Sequence, residues 1–257
     1  MLAVPAPDAA IACYRHLSAH FDTNLSACEL MNRAQIELAL AHVSATKVPF
    51  AVVPPYAMLF DLSDSNPAKD FYEDAESCVM KLIDAGHAAD AIICTNVREA
   101  DALWHLRHSF PEANKLGGQA IMFDVSIRLV QLTAFLAAAE EAARASAPEG
   151  RPVFMGHLGD GNMHRNWMLP RRDGETVDQD QVSDIQNRIN AVLDAQCSSF
   201  SAEHGIGRKH VDDLRQSLPA AEMDLLRSLK SVLDPRTCCR PVLFSTAHNA
   251  EGSFAAG

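Results

Sequence analysis

In residues 156–167, GHLGDGNMHRNW, two histidines stand seven positions apart with Gly-Asp-Gly between them. Residues 201–207, SAEHGIG, place a third histidine beside a carboxylate. The chain has only 12 glycines, and these two stretches hold five of them, so both ask the backbone for tight turns or close approach. If 151–157 and 162–169 are strands around the glycine turn, His157 and His164 lie near each other, since opposed Cβ atoms sit about 4.5–5.5 Å apart. Asn166, two residues beyond His164, then shares its face, while Arg165 and Trp167 point the other way. Two neutral imidazoles and a carboxylate form a facial arrangement for a divalent cation that leaves coordination positions open. Glu203 is the natural third ligand, which leaves His204 as a base beside the cation. Asp160 is a rival ligand or a turn residue, and a histidine in a hairpin also occurs as a satisfied polar side chain. The spacing is not the helical H-E-x-x-H of a zinc protease.

The elements that must position these groups alternate between strand and helix. Residues 9–21 and 27–42 have helical spacing of apolar positions. YAMLFDLSD (56–64) reads as a strand, 67–86 as a helix with Pro near its start and Gly at its end, and 89–96 as a short strand. Residues 98–110 are helical, with Leu103, Leu106 and Phe110 forming an apolar stripe beside Trp104 and Arg107. Residues 120–129 read as a strand, 131–150 as an alanine-rich helix, 171–178 as a solvated loop and 179–199 as a helix. FSAEH (200–204) reads as a short strand, and two polar-faced helices follow before Asp234-Pro235. The hairpin at 151–169 demands antiparallel neighbours. The expected fold is therefore α+β: a ferredoxin-like plait with a largely antiparallel sheet flanked by helices. The expected divisions are an α+β domain over 1–200, a C-terminal helical segment over 201–236 that completes the site, and a loose tail over 237–257. No internal repeat stands out.

Bulk composition narrows the partners. At 257 residues with 48% hydrophobic and 21% charged residues, the chain is long enough to bury a substantial core. Its net charge of −11 argues against nucleic acid and against an anionic membrane surface, so an anionic substrate needs locally placed cations. Seven scattered cysteines without a C-x-x-C pair suit a reducing compartment, and no apolar run approaches a membrane span. The cytoplasm is the expected location.

GHLGDGNMHRN followed by SAEHGIG resembles the C-terminal signature of the FAD-linked oxidases, the flavoprotein family of D-lactate, glycolate and D-2-hydroxyglutarate dehydrogenases. LSACELMNRAQIELAL, YAMLFDLSDS, LWHLRHSFPEA and FDVSI resemble further family blocks in order, over roughly residues 3–235. The resemblance implies His157, His164 and Glu203 as ligands of zinc or manganese. It implies His204 as the base that removes the substrate hydroxyl proton. It implies Asn166 and Arg107, the latter in the W-x-x-R block at Trp104, as residues that hold a small 2-hydroxy acid. The α-hydrogen would leave as hydride to FAD, and electrons would pass on to a quinone, a cytochrome or an electron-transfer flavoprotein.

The sequence departs from the family pattern in several places. Relatives acting on diacids often carry a lysine where this chain has Met122, and Pro111 stands where some place a hydroxyl residue. Arg128 replaces a usual proline, and the pattern is left near residue 237. No G-x-G-x-x-G or phosphate loop is present, so the chain resembles the substrate- and metal-binding half, expected to work only with a flavin-domain chain. Three rival readings remain at this level: a metal and hydroxy-acid binding module without redox chemistry, a metal-dependent hydrolase with His204 activating water, and a degenerate fragment.

Overall fold

The computed structural model describes residues 1–66, 68–170, 178–207, 210–236 and 238. Strands β1 (Leu2–Val4), β2 (Leu25–Asn32), β3 (Tyr56–Leu62) and β4 (Asp90–Ala91) alternate with helices α1 (Pro7–Phe21), α2 (Arg33–His42) and α3 (Tyr72–Asp84). They pair antiparallel in the order β4-β1-β3-β2, which is the βαββαβ plait with α2 spliced between β2 and β3. Helices α4 (Val97–His108) and α5 (Phe110–Leu116) lead into a second run: β5 (Gln119–Ser126), α6 (Leu132–Ser146), β6 (Arg151–His157), β7 (Asn162–Leu169) and α7 (Gln179–Ala195).

The second run repeats the topology of the first. Its strands lie in the order β6-β7-β5, matching β2-β3-β1, and β2 pairs antiparallel with β6 to join the halves into one seven-stranded sheet. Where β4 flanks β1, two isolated bridges, Ser126 to Ser199 and Asp124 to Ser201, flank β5. No repeat is visible in the residues themselves, because a plait needs only apolar periodicity and turns, which many sequences supply.

Helices cover both faces. Leu17 of α1, Leu82 of α3, Phe135 of α6 and Ile189 of α7 pack with Leu30, Phe154 and Trp167 on one side. Ile36 of α2, Leu106 of α4 and Phe110 of α5 pack with Met31, Val153 and Met168 on the other. The fold is the expected α+β arrangement. The residues from His204 onward form a second compact unit, apart from Met1–Glu203. It contains α8 (Val211–Ser217) and α9 (Ala220–Leu233). Among the described residues no helix is long and apolar enough to cross a membrane.

Several elements differ from the sequence expectation. The continuous helix read over 27–42 is a strand followed by a helix. Four consecutive residues of β2, Cys28 to Met31, are buried because the strand is covered on both faces, so no alternation shows. The switch comes at Asn32, whose side chain caps α2 by accepting the Gln35 N–H. The strand expected at 89–96 shrinks to two residues, and the helix expected from 67 begins at Tyr72. The helix expected over 98–110 ends at His108, and α5, not expected, starts anew with Pro111 in its first turn. The hairpin strands 151–157 and 162–169 stand as read. Apart from Asp178 and Cys238, the loop at 171–178 and the tail at 237–257 lie outside the described residues.

Candidate metal and substrate site

The hairpin β6–β7 sets two imidazoles on the sheet face that α2, α4 and α5 partly cover. His157 ends β6, and His164 lies diagonally across on β7, their rings 6.0 Å apart between centroids and nearly perpendicular. Alternation puts Met163, Trp167 and Leu169 into the opposite core and leaves His164 and Asn166 on the site face. The turn is tight for a specific reason: Gly161 has φ +75°, and a Cβ there would sit 2.2 Å from the Ile127 carbonyl oxygen. Asp160 serves this turn, its Oδ1 accepting the Asn162 N–H at 2.9 Å.

Each histidine has a carboxylate as its register partner on the neighbouring strand. Glu29 of β2 lies opposite His157, and Asp124 of β5 lies opposite His164. Glu29 Oε1 is 2.5 Å from His157 Nδ1, and Asp124 Oδ1 is 3.4 Å from His164 Nδ1. The other ring nitrogens turn to Glu203: His164 Nε2 is 3.1 Å from Oε1 and His157 Nε2 is 4.0 Å from Oε2. Glu203 is held through its own backbone N–H, which Asp124 Oδ2 accepts at 3.2 Å.

The donor set suits a divalent cation. Zinc bonds of roughly 2.0–2.2 Å to nitrogen and oxygen put adjacent ligands about 3–3.5 Å apart; the 3.1 Å from His164 Nε2 to Glu203 lies within that span, and the 4.0 Å from His157 Nε2 lies beyond it. Distance alone also groups Asp124 with His164 and Glu203, one ligand atom of each lying within 4.8 Å of the others, and leaves His157 out. Asp124 lies at the Nδ1 edge of the His164 ring and Glu203 at the Nε2 edge, but Asp124 Oδ1 makes no hydrogen bond to Nδ1. The Nε2 atoms of His164 and His157 both face Glu203, whose side chain is about half exposed.

Arg107 on α4 is buried, not the surface arginine that a helix position alone would suggest. Its Nε donates to Glu29 Oε2 at 2.7 Å, and its two Nη groups make no hydrogen bond among the described residues. Asn166 is buried on the site face with Met122 of β5 directly opposite. His204 follows Glu203, is exposed and opens the second unit.

Residues 1–242 match the family described as FAD linked oxidases, C-terminal domain. The chain belongs to this family. The match runs a few residues past position 237, where the family pattern was expected to end. Among curated members it is 29% identical over 259 residues to a D-2-hydroxyglutarate dehydrogenase of Xanthomonas citri pv. viticola, covering all of this chain and 53% of that protein. It is also 29% identical over 224 residues to the mitochondrial D-2-hydroxyglutarate dehydrogenase of Bos taurus, covering 87% of this chain and 39% of that protein. The chain thus spans about half or less of the length of these relatives. A 4-ethylphenol oxidase from Gulosibacter chungangensis shares the fold, with TM-score 0.54 at 9% identity over 91% of this chain and 50% of that one.

For this FAD-linked oxidase domain, sequence reasoning named the convergent groups His157, His164 and Glu203 and missed Glu29 and Asp124. Both are single acids inside apolar strands, ACELM and AIMFDVS. That was the available signal, because a carboxylate buried in a sheet demands a partner.

Proposed function

We propose that this chain is the substrate- and metal-binding half of an FAD-dependent D-2-hydroxy-acid dehydrogenase, which oxidises a 2-hydroxy acid to the 2-oxo acid. The observation that carries this reading is that the Nε2 atoms of His157 and His164 both face Glu203, with Glu29 holding His157 from its other nitrogen and a buried arginine tied to that same Glu29. His157, His164 and Glu203 would hold zinc or manganese, and FAD would be bound by sequence outside these 257 residues. When bound, the cation supplies Lewis acidity toward a hydroxyl and carboxylate, and FAD supplies the hydride acceptor.

The chain's own residues do the rest. Arg107 grips the substrate carboxylate through its two Nη groups, in the bidentate geometry that guanidinium favours. Asn166 orients the substrate from the sheet face. His204, next in the chain to Glu203, accepts the hydroxyl proton as general base. The carbon loses its hydrogen with the bonding pair, and the oxygen keeps the electrons of the broken O–H bond to form the carbonyl. The relatives' names point to a diacid, yet Met122 stands opposite Asn166 and offers no cation to a second carboxylate. A substrate with one carboxylate, like D-lactate or glycolate, fits better. Electrons would leave through a quinone, a cytochrome or an electron-transfer flavoprotein.

Elemental analysis of the purified chain tests the reading. One zinc or manganese per chain is expected, lost in His157→Ala, His164→Ala and Glu203→Ala. Adding a flavin-domain chain, FAD and a dye acceptor should then give oxidation of D-lactate. A chain that takes up no metal, or that keeps it through all three substitutions, overturns the proposal.

A further inference from the structure

Glu29 is 4% exposed, and each of its oxygens has a different charged or polar partner: Oε1 the His157 Nδ1 at 2.5 Å, Oε2 the Arg107 Nε at 2.7 Å. Its strand neighbours Cys28, Leu30 and Met31 are buried in the two cores. A residue serving stability alone at such a position would be apolar, since desolvating an ion pair commonly costs as much as its attraction returns. Its place in the register, directly across from His157, makes the first contact specific, and the reach of α4 over the sheet makes the second.

We infer that Glu29 is a positioning residue that ties the substrate-gripping arginine to one metal-ligating histidine, an inference that rests on the function proposed above. By accepting from Nδ1 it fixes His157 as the Nδ1–H tautomer and leaves the Nε2 lone pair for the cation. By accepting from the Arg107 Nε it sets the plane of the guanidinium and keeps both Nη groups for a carboxylate. A chelating 2-hydroxy acid must reach both ends at once, so Glu29 sets the spacing between them. Asp124 lies opposite His164 in the register and accepts the Glu203 backbone N–H on Oδ2.

Zinc titration of the metal-free chain against a chromophoric chelator tests this, with Glu29→Gln beside wild type and His157→Ala. Glu29→Gln is expected to weaken zinc about 10- to 100-fold, as loss of such an orienting partner does elsewhere, at a stoichiometry still of one. The cobalt-loaded variant should also show an altered visible absorption band. Equal zinc affinity in Glu29→Gln and wild type, with His157→Ala impaired, overturns the inference and leaves the proposed function standing. Wild type that binds no zinc overturns both. Should Glu29→Gln fail to fold, nitrogen-15 NMR of the metal-free wild type decides: a His157 ring protonated at Nε2 alone overturns the inference, and one protonated at Nδ1 supports it.

Discussion

Replacing Arg107 by methionine removes the guanidinium and keeps most of the aliphatic stem, so packing on α4 is largely retained. Arg107 is 8% exposed and Glu29 4%, which makes theirs a buried pair. Removing one partner of such a pair costs about 3–5 kcal/mol, because a charge is left without its counterpart. His157 still holds the other Glu29 oxygen, so the low end, about 3 kcal/mol, is expected. For a domain of this size that corresponds to a Tm lower by roughly 6–12 °C. The measurement is urea and thermal unfolding of chelator-treated protein for Arg107→Met, Glu29→Gln and the double variant. The double variant should be at least about 1 kcal/mol more stable than the sum of the single losses predicts, since it removes the stranded charge. A change within about 0.5 kcal/mol for Arg107→Met, the range of ordinary surface substitutions, would refute the reasoning and return Arg107 to the helix surface.

Gly161→Ala should destabilise by about 2 kcal/mol or more, since it forces a left-handed backbone on alanine and drives a Cβ against the Ile127 carbonyl; urea unfolding indistinguishable from wild type would show that the turn relaxes freely. Arg165 is buried on the opposite face with no hydrogen bond to Nη1 or Nη2 among the described residues, and burial lowers its pKa to about 10. A base with a lowered folded pKa opposes folding fully below about pH 10, and the opposition fades as pH rises from there toward the ordinary arginine value. Arg165→Met is therefore expected to stabilise at neutral pH by about 1–3 kcal/mol, the packing against the Trp167 ring notwithstanding; a lower thermal midpoint would contradict this. Met122 is 57% exposed, so Met122→Lys should leave stability unchanged. In the enzyme completed with its flavin domain, it should raise the kcat/KM ratio of D-2-hydroxyglutarate to D-lactate roughly tenfold, the worth of one added ion pair. An unchanged ratio would remove position 122 from the substrate pocket.

The hairpin was legible because its signals are local: glycines at the turn, period-two alternation along β7 and two histidines in reach of it. The plait followed from the order of strands and helices, but no spacing ties residue 203 to the hairpin, and its place 3.1 Å from His164 Nε2 comes from the fold. Glu29 was hidden for a physical reason. A strand buried on both faces loses the alternation that announces a strand, so CELM merged with the helix behind it into one helical stripe. With β2 misread, nothing could bring residue 29 to residue 157. Asp124 was in plain view within FDVS, but its task depends on register with β7, which no local pattern encodes. The duplicated topology left no trace in residue identities, and only the order of the strands reveals it.

The join between β2 and β6 carries one further consequence, for how the protein matures. Glu29 and His157 meet across it from positions 128 residues apart in the chain. Pairings that distant form late in a folding chain, after the local hairpins have closed. A nascent or refolding molecule would therefore hold the β6–β7 hairpin, with both imidazoles in place, well before it holds the carboxylate that aims one of them. Under the function proposed above, competence to take up an ion becomes a sign that the two halves have zipped together.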